Sequence, residues 1–339
     1  MKNRILSFDI MRGLAAFAVM LYHYTCRYGE MEELSQAPTD FGFSITWGFA
    51  AVSLFFILSG YFSAKQLLDE KPIDWGGYFS KRVKRLYPAF FISVIITFIV
   101  TSIWLPVLSC SFKDFLLNLT MIPGPVGAKP VDGAYWTLFV EWIFYFIVAT
   151  LLIKPNKRIS RYVLIGWLII SIVSNLVGGT SPSGLFKVIN YFLVTSYSSC
   201  FVAGIALWQL GKHIRDIYTY LYLILSSFNV MLWQNLPSII FFFVTCIIIV
   251  LITHLNLEDY LVKSRIANIL AWYGRISYPF YLLHQVLGYV MIFYLVKVGF
   301  TNAWILLVPF VVISVLAYLL NTYSEIMLKK ALVLIKKNS

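Results

Sequence analysis

An aspartate, an arginine and a histidine stand inside the first hydrophobic run of the chain. The run reads Phe8-Asp9-Ile10-Met11-Arg12-Gly13-Leu14-Ala15-Ala16 and stays apolar to Leu21-Tyr22-His23-Tyr24. Arg12 and His23 are eleven positions apart. At 100° per residue, that places both side chains within about 20° of one helix face, three turns or about 16 Å apart. An ionisable group in a bilayer is costly unless it is paired or lines a wet cavity, so it marks a functional site by default. Two on one face predict a polar track through the membrane. The imidazole of His23 has the chemistry to take a proton from a hydroxyl. Arg12 also has a plainer reading, as a snorkelling side chain paired with Asp9 three residues back.

Three further groups carry chemistry. In Trp136-Thr137-Leu138-Phe139-Val140-Glu141-Trp142-Ile143-Phe144-Tyr145, the spacing of Thr137, Glu141 and Tyr145 puts a polar stripe on one helix face. Glu141 falls at a depth similar to His23, where a carboxylate orients an imidazole or binds sugar hydroxyls. In Lys81-Arg82-Val83-Lys84-Arg85-Leu86-Tyr87-Pro88, Arg82 and Arg85 share a face and offer two guanidinium forks to a phosphate-rich ligand. A basic cluster at a cytoplasmic helix end also serves topology and lipid headgroups, and the residues alone leave both readings open. In Ser277-Tyr278-Pro279-Phe280-Tyr281-Leu282-Leu283-His284, a face of Ser277, Tyr281 and His284 lies in the inner half of its span. These three line a cofactor channel or bond neighbouring helices. Ser59, in Phe55-Phe56-Ile57-Leu58-Ser59-Gly60, reads as a packing residue, and His213 and His254 as loop or helix-end residues. Cys26, Cys110, Cys200 and Cys246 show no metal-ligand spacing, so no metal site is expected. Cys26 and Cys110 both fall near outer helix ends.

The elements that position these groups are membrane helices. The 339 residues are 60% hydrophobic and only 12% charged, where a soluble domain is nearer a quarter charged. The expected architecture is an all-α polytopic bundle of about ten transmembrane helices in a single membrane-embedded domain, 1–339, with no soluble appendage. The spans run roughly over 7–27, 44–64, 86–107, 135–153, 161–178, 186–208, 216–233, 237–255, 277–297 and 302–323. Asp9 and Arg12 interrupt the first of them, and no small-residue cleavage site follows, which argues against a signal peptide. With both termini cytoplasmic, Arg27, Lys113, Lys129, Lys187 and Lys297 fall in outer loops and Arg12 in a span. That leaves 21 of the 27 Lys and Arg inside, the positive-inside bias. The net charge of +12 is thereby explained without a nucleic-acid partner. The stretch from about Cys110 to Tyr135, with Pro123-Gly124-Pro125 and Gly127-Ala128-Lys129-Pro130, reads as a long outer loop able to hold a polar substrate. No inverted repeat of the kind transporters show is visible.

Taken in order, these motifs resemble the acyltransferase-3 family of integral-membrane O-acyltransferases, many of which acetylate bacterial surface sugars. The resemblance is carried by Asp9-x-x-Arg12-Gly13-Leu14-Ala15 with His23, and by Phe55-Phe56-Ile57-Leu58-Ser59-Gly60. It continues through Arg82-x-x-Arg85-x-x-Pro88, Trp136-Thr137-Leu138-x-Val140-Glu141-x-x-x-Tyr145 and Ser277-Tyr278-x-x-Tyr281-Leu282-x-His284. It implies transfer of an acyl group, usually acetyl, from cytoplasmic acyl-CoA to a hydroxyl of a glycan or lipid-linked sugar, in the bacterial cytoplasmic membrane. On that expectation acetyl-CoA or another acyl-CoA is the donor and no cofactor is permanently bound. Arg12, His23 and Glu141 form the catalytic set, and Arg82, Arg85, Ser277, Tyr281 and His284 the donor-binding set. Thr137 stands where the family often has Ser, Trp142 where a second acid often follows, and Glu325 lacks the usual following proline. The competing expectation is a transporter or flippase using Arg12, His23 and Glu141 as a relay.

Overall fold

The computed structural model describes residues 5–68, 72, 74–178, 183–255 and 258–337, and among them every regular element is helical. The first five α-helices are α1 (Leu6–Tyr22), α2 (Val52–Leu68), α3 (Trp75–Trp104), α4 (Phe112–Asn118) and α5 (Trp136–Ile153). The next five are α6 (Lys157–Gly178), α7 (Gly184–Phe192), α8 (Thr195–Gly211), α9 (Ile217–Trp233) and α10 (Leu236–His254). The chain ends with α11 (Glu258–Leu261), α12 (Arg265–Arg275), α13 (Ser277–Lys297) and α14 (Leu307–Lys337). Among the described residues, eight helices are long and apolar enough to cross a membrane. Of the other two expected spans, 216–233 forms the 17-residue helix α9, at the short end of what crosses a bilayer, and 7–27 forms α1 with the π-helical turn His23–Arg27 that continues it. The apolar window of α13 is 78% buried and that of α10 only 22%. Protein therefore surrounds α13, while α10 turns most of its uniformly apolar surface outward, as a lipid-facing helix does.

The chain folds as two compact units, each assembled from separated stretches. The first contains 1–7, 49–78 and 140–268, and the second 8–48, 79–139 and 269–339.

In the first unit, α2 lies against α8 with the two backbones in direct approach. A Cβ on Gly60 would collide with the Phe201 carbonyl, and one on Gly204 with the Ile57 carbonyl. Small residues permit this spacing, and dispersion holds it where lipid supplies no hydrophobic drive. Phe144 stacks on Phe201 at 4.1 Å and closes the seam. Amide and hydroxyl groups join α6, α8 and α9: Asn175 Nδ2 donates to Asn229 Oδ1, and Asn229 Nδ2 to Ser199 Oγ. At the start of α1, Glu258 accepts from the Leu6 and Ser7 backbone N–H groups, capping donors that the helix cannot satisfy itself.

In the second unit, α13 packs on α14, on the end of the α1 run and on the short turn Gly133–Tyr135. Gly13 of α1 meets Gly274 at the end of α12, again at backbone distance. The linker between α3 and α5 departs from the expected outer loop. Tyr294 Oη donates to the carbonyl of Trp104, so the α3 end sits beside the end of α13. From there α4 folds back along α3, with Phe115 stacked on Phe98 at 4.4 Å. Tyr87 Oη then donates to the Leu119 carbonyl at 2.9 Å. Tyr87 lies 17 residues before Trp104, about 26 Å back along the helix. Buried Asn118 holds the returning chain, donating to the Asp114 and Lys129 carbonyls and accepting from Val131 N–H. Irregular backbone persists at membrane depth when protein groups satisfy it in this way.

Candidate active site

His23 opens a single π-helical turn, His23–Arg27, that continues α1. The turn closes with Tyr28 N–H donating to the His23 carbonyl at 2.8 Å. Such turns are uncommon and often occur at functional positions. The half-buried His23 ring shares a hydrogen bond between Nδ1 and Tyr289 Oη at 3.1 Å. Its ring centroid lies 5.0 Å from that of His284, edge to face. His284 is fully buried. Its Nδ1 is 2.7 Å from the Tyr281 carbonyl of its own helix. A carbonyl only accepts, so in the uncharged ring the proton sits on Nδ1 and the lone pair on Nε2.

The stretch of α13 that carries these rings is clamped from outside. Tyr24 Oη donates to the His284 carbonyl at 2.7 Å, and Tyr135 Oη to the Leu282 carbonyl at 3.1 Å. Tyr281 Oη donates to the Ala134 carbonyl at 3.3 Å. Asp132, fully buried, accepts from Ala134 N–H at 2.8 Å and from Val286 N–H at 3.1 Å. It thus ties the turn before α5 to α13. Gly288 leaves room for Tyr24, whose hydroxyl would collide with a Cβ there. The backbone that carries His284 is therefore held by groups from the π turn and the α3–α5 linker together.

The other expected residues fall around and apart from this group. Arg12 is half-buried, with Asp9 at 3.4 Å. Arg82 and Arg85 lie in the second and third turns of α3, Arg82 half-buried and Arg85 exposed. Ser277 is buried at the start of α13. Glu141 belongs to the first unit. There its Oε1 accepts from Ser59 Oγ at 3.0 Å and from Tyr145 Oη. Ser59, expected to be a packing residue, is thus a hydrogen-bond donor to the one acid of α5. Thr137 donates to the Ala134 carbonyl. All four cysteines are free thiols, and among the described residues no cluster of three or more His, Cys, Asp or Glu is placed to hold a metal.

The structure differs from the sequence reading in three respects here. Depth assignments put His23 and His284 in opposite halves of the membrane, whereas their rings touch. The partner on His23 Nδ1 is Tyr289, a residue that periodicity did not mark. Ser277, Tyr281 and His284 form a stripe whose next position is 288, one residue away from Tyr289. Asp132 was hidden as well, because an Asp-Gly pair before a helix reads as a turn former. Its only sequence signal was the chance of an N-cap, which it is.

Comparison with known proteins adds an independent line. Residues 5–321 match the family described as an acyltransferase domain. Over 310 residues the chain is 26% identical to a protein of Acidianus two-tailed virus that is named, provisionally, as an acetyltransferase. The alignment covers 86% of this chain and 87% of that one. No solved structure matches the chain.

Proposed function

The chain belongs to the acyltransferase-3 family, and from that premise we propose that it moves an acyl group from acyl-CoA to a sugar hydroxyl across a cytoplasmic membrane. The acyl group is acetyl, and the acceptor is a surface or lipid-linked carbohydrate. The observation that carries this reading is His23: an imidazole in a π turn, its Nδ1 tied to Tyr289, at the end of the helix that also bears Arg12.

In the proposed reaction Arg82 and Arg85 grip the phosphates of acyl-CoA from the cytoplasmic side, where guanidinium forks match phosphate oxygens. The pantetheine arm passes Arg12 and presents the thioester near His23. The acceptor oxygen attacks the thioester carbon as His23 takes its proton, the C–S bond breaks, and the proton passes to the departing thiolate. Tyr289 holds the imidazole in the orientation this requires. Within the first unit, Glu141, with Ser59 and Tyr145 on one oxygen, is a separate carboxylate suited to hydroxyl groups. Both termini lie on the cytoplasmic side, as the placement of Lys and Arg supports.

The test is transfer of radiolabel from acetyl-CoA by membranes of a glycan-producing host that expresses the chain. Label in the glycan or lipid fraction above an empty-vector control is expected. The Arg82→Ala/Arg85→Ala double variant should then need about tenfold more acetyl-CoA for the same rate. No label above control, together with substrate uptake by sealed vesicles, would replace this reading with transport.

A further inference from the structure

The pair of imidazoles on α13 and the π turn is asymmetric in a way that constrains the acceptor molecule. His23 is half-buried and is the open end of the group, whereas His284 has no exposure. The Nδ1 of His284 is committed to the Tyr281 carbonyl. Nε2, at the tip of the ring away from that bond, is buried and makes no hydrogen bond to any of the described residues. A buried nitrogen lone pair without a donor costs about 1–3 kcal/mol, and such exceptions in a folded protein call for an explanation. The cost is sustained against a backbone clamped by Tyr24 and Tyr135, so this ring cannot swing to a new partner cheaply. With its proton held on Nδ1, Nε2 can only accept. The group that completes it must bring a hydrogen of its own.

Resting on the acyl-transfer reading, we propose that His284 belongs to the acceptor side of the reaction and receives a hydrogen bond from a second hydroxyl of the acceptor, adjacent to the one acylated at His23. The acceptor class is then a vicinal diol, as sugar rings and polyols present, rather than a lone alcohol. Ring centroids 5.0 Å apart suit two oxygens on neighbouring carbons, one addressed by each imidazole. A thioester offers no hydrogen to Nε2 and leaves that nitrogen unpaired. His284 therefore leaves the donor-binding set in which its sequence motif placed it. A site built to bond a hydroxyl discriminates strongly against an analogue lacking it, because the buried group is then stranded.

The experiment uses the full chain in membranes with acetyl-CoA and two small probes, propane-1,2-diol and propan-1-ol, reading ester formation by mass spectrometry. Wild-type protein should acylate the diol at least tenfold faster than the mono-alcohol. His284→Asn keeps an amide N–H for the Tyr281 carbonyl and removes the acceptor at the ring tip. It should lose the diol preference with the KM for acetyl-CoA unchanged. His284→Gln, whose amide oxygen reaches further, should recover part of the preference. Equal rates for the two alcohols in the wild type, a preference that survives in His284→Asn, or a tenfold rise in the acetyl-CoA KM of that variant would each overturn the proposal. The wild-type comparison decides alone if neither variant accumulates. Failure of the wild type to transfer label to the alcohols and to the host glycan contradicts the acyl-transfer reading itself.

Discussion

The α2–α8 seam and the clamped stretch of α13 are both buried inside helical units, yet they are buried by opposite means. At the seam, Gly60 and Gly204 let two backbones touch. Around α13, by contrast, tyrosine hydroxyls and the Asp132 carboxyl reach backbone groups of residues 282–286. The first arrangement fixes distance and carries no proton chemistry. The second spends polar groups to hold one segment still, and that segment bears His284 and lies one turn before Tyr289, the partner of His23. In a membrane protein the informative burial is the polar kind, since each such group must be satisfied within the fold.

The comparison breaks most visibly at the seam. Gly204→Val should cost about 3 kcal/mol or more, because the side chain meets a carbonyl that cannot yield. Loss of monodisperse protein in detergent would register it, and near-normal thermal stability would show that the backbones are not in contact. On the α13 side, Tyr289→Phe should leave folding intact and lower kcat about tenfold, since only the bond that orients His23 is lost. An unchanged kcat would remove Tyr289 from the site.

Asp132 supplies a subtler probe. Its carboxylate accepts from both the Ala134 and the Val286 N–H groups, and in Asp132→Asn one of these donors would face an amide N–H instead. The variant should lose about 1–3 kcal/mol of thermal stability, and an unchanged unfolding temperature would remove Asp132 as the tie between the linker and α13. The smallest effect is expected from Ser59→Ala. Tyr145 still donates to Glu141, so acyl transfer should drop by less than about threefold. A loss as large as that from Tyr289→Phe would raise the Glu141 cluster to equal standing with the α13 group.

Much of the helical plan was legible because bilayer thickness forces a minimum apolar length. The run 277–297 coincides with α13, and 135–153 nearly matches α5. Arg12 and His23 could be placed on one face because helical phase survives over three turns. The division into two interleaved units was not legible, since composition is uniform along the chain. Nor was the fold-back of the α3–α5 linker. Pro123, Gly124 and Gly127 announce turns equally well at the surface and inside a protein, and only Asn118, through its bonds to Lys129 and Val131, reveals which. The encounter of His23 with His284 was hidden for a related reason. Hydropathy assigns depth on the assumption that helices cross straight through, and the two histidines were given different depths on that basis.

The central claim is that His23 performs acyl transfer. Its most direct test is the rate of label transfer from acetyl-CoA to the acceptor glycan by purified membranes carrying equal amounts of wild-type or His23→Ala protein. A general base contributes about 10²–10⁴-fold, so the variant should transfer at least a hundredfold more slowly while unfolding at the wild-type temperature. Equal rates in the two preparations would contradict the account and place the chemistry elsewhere in the chain.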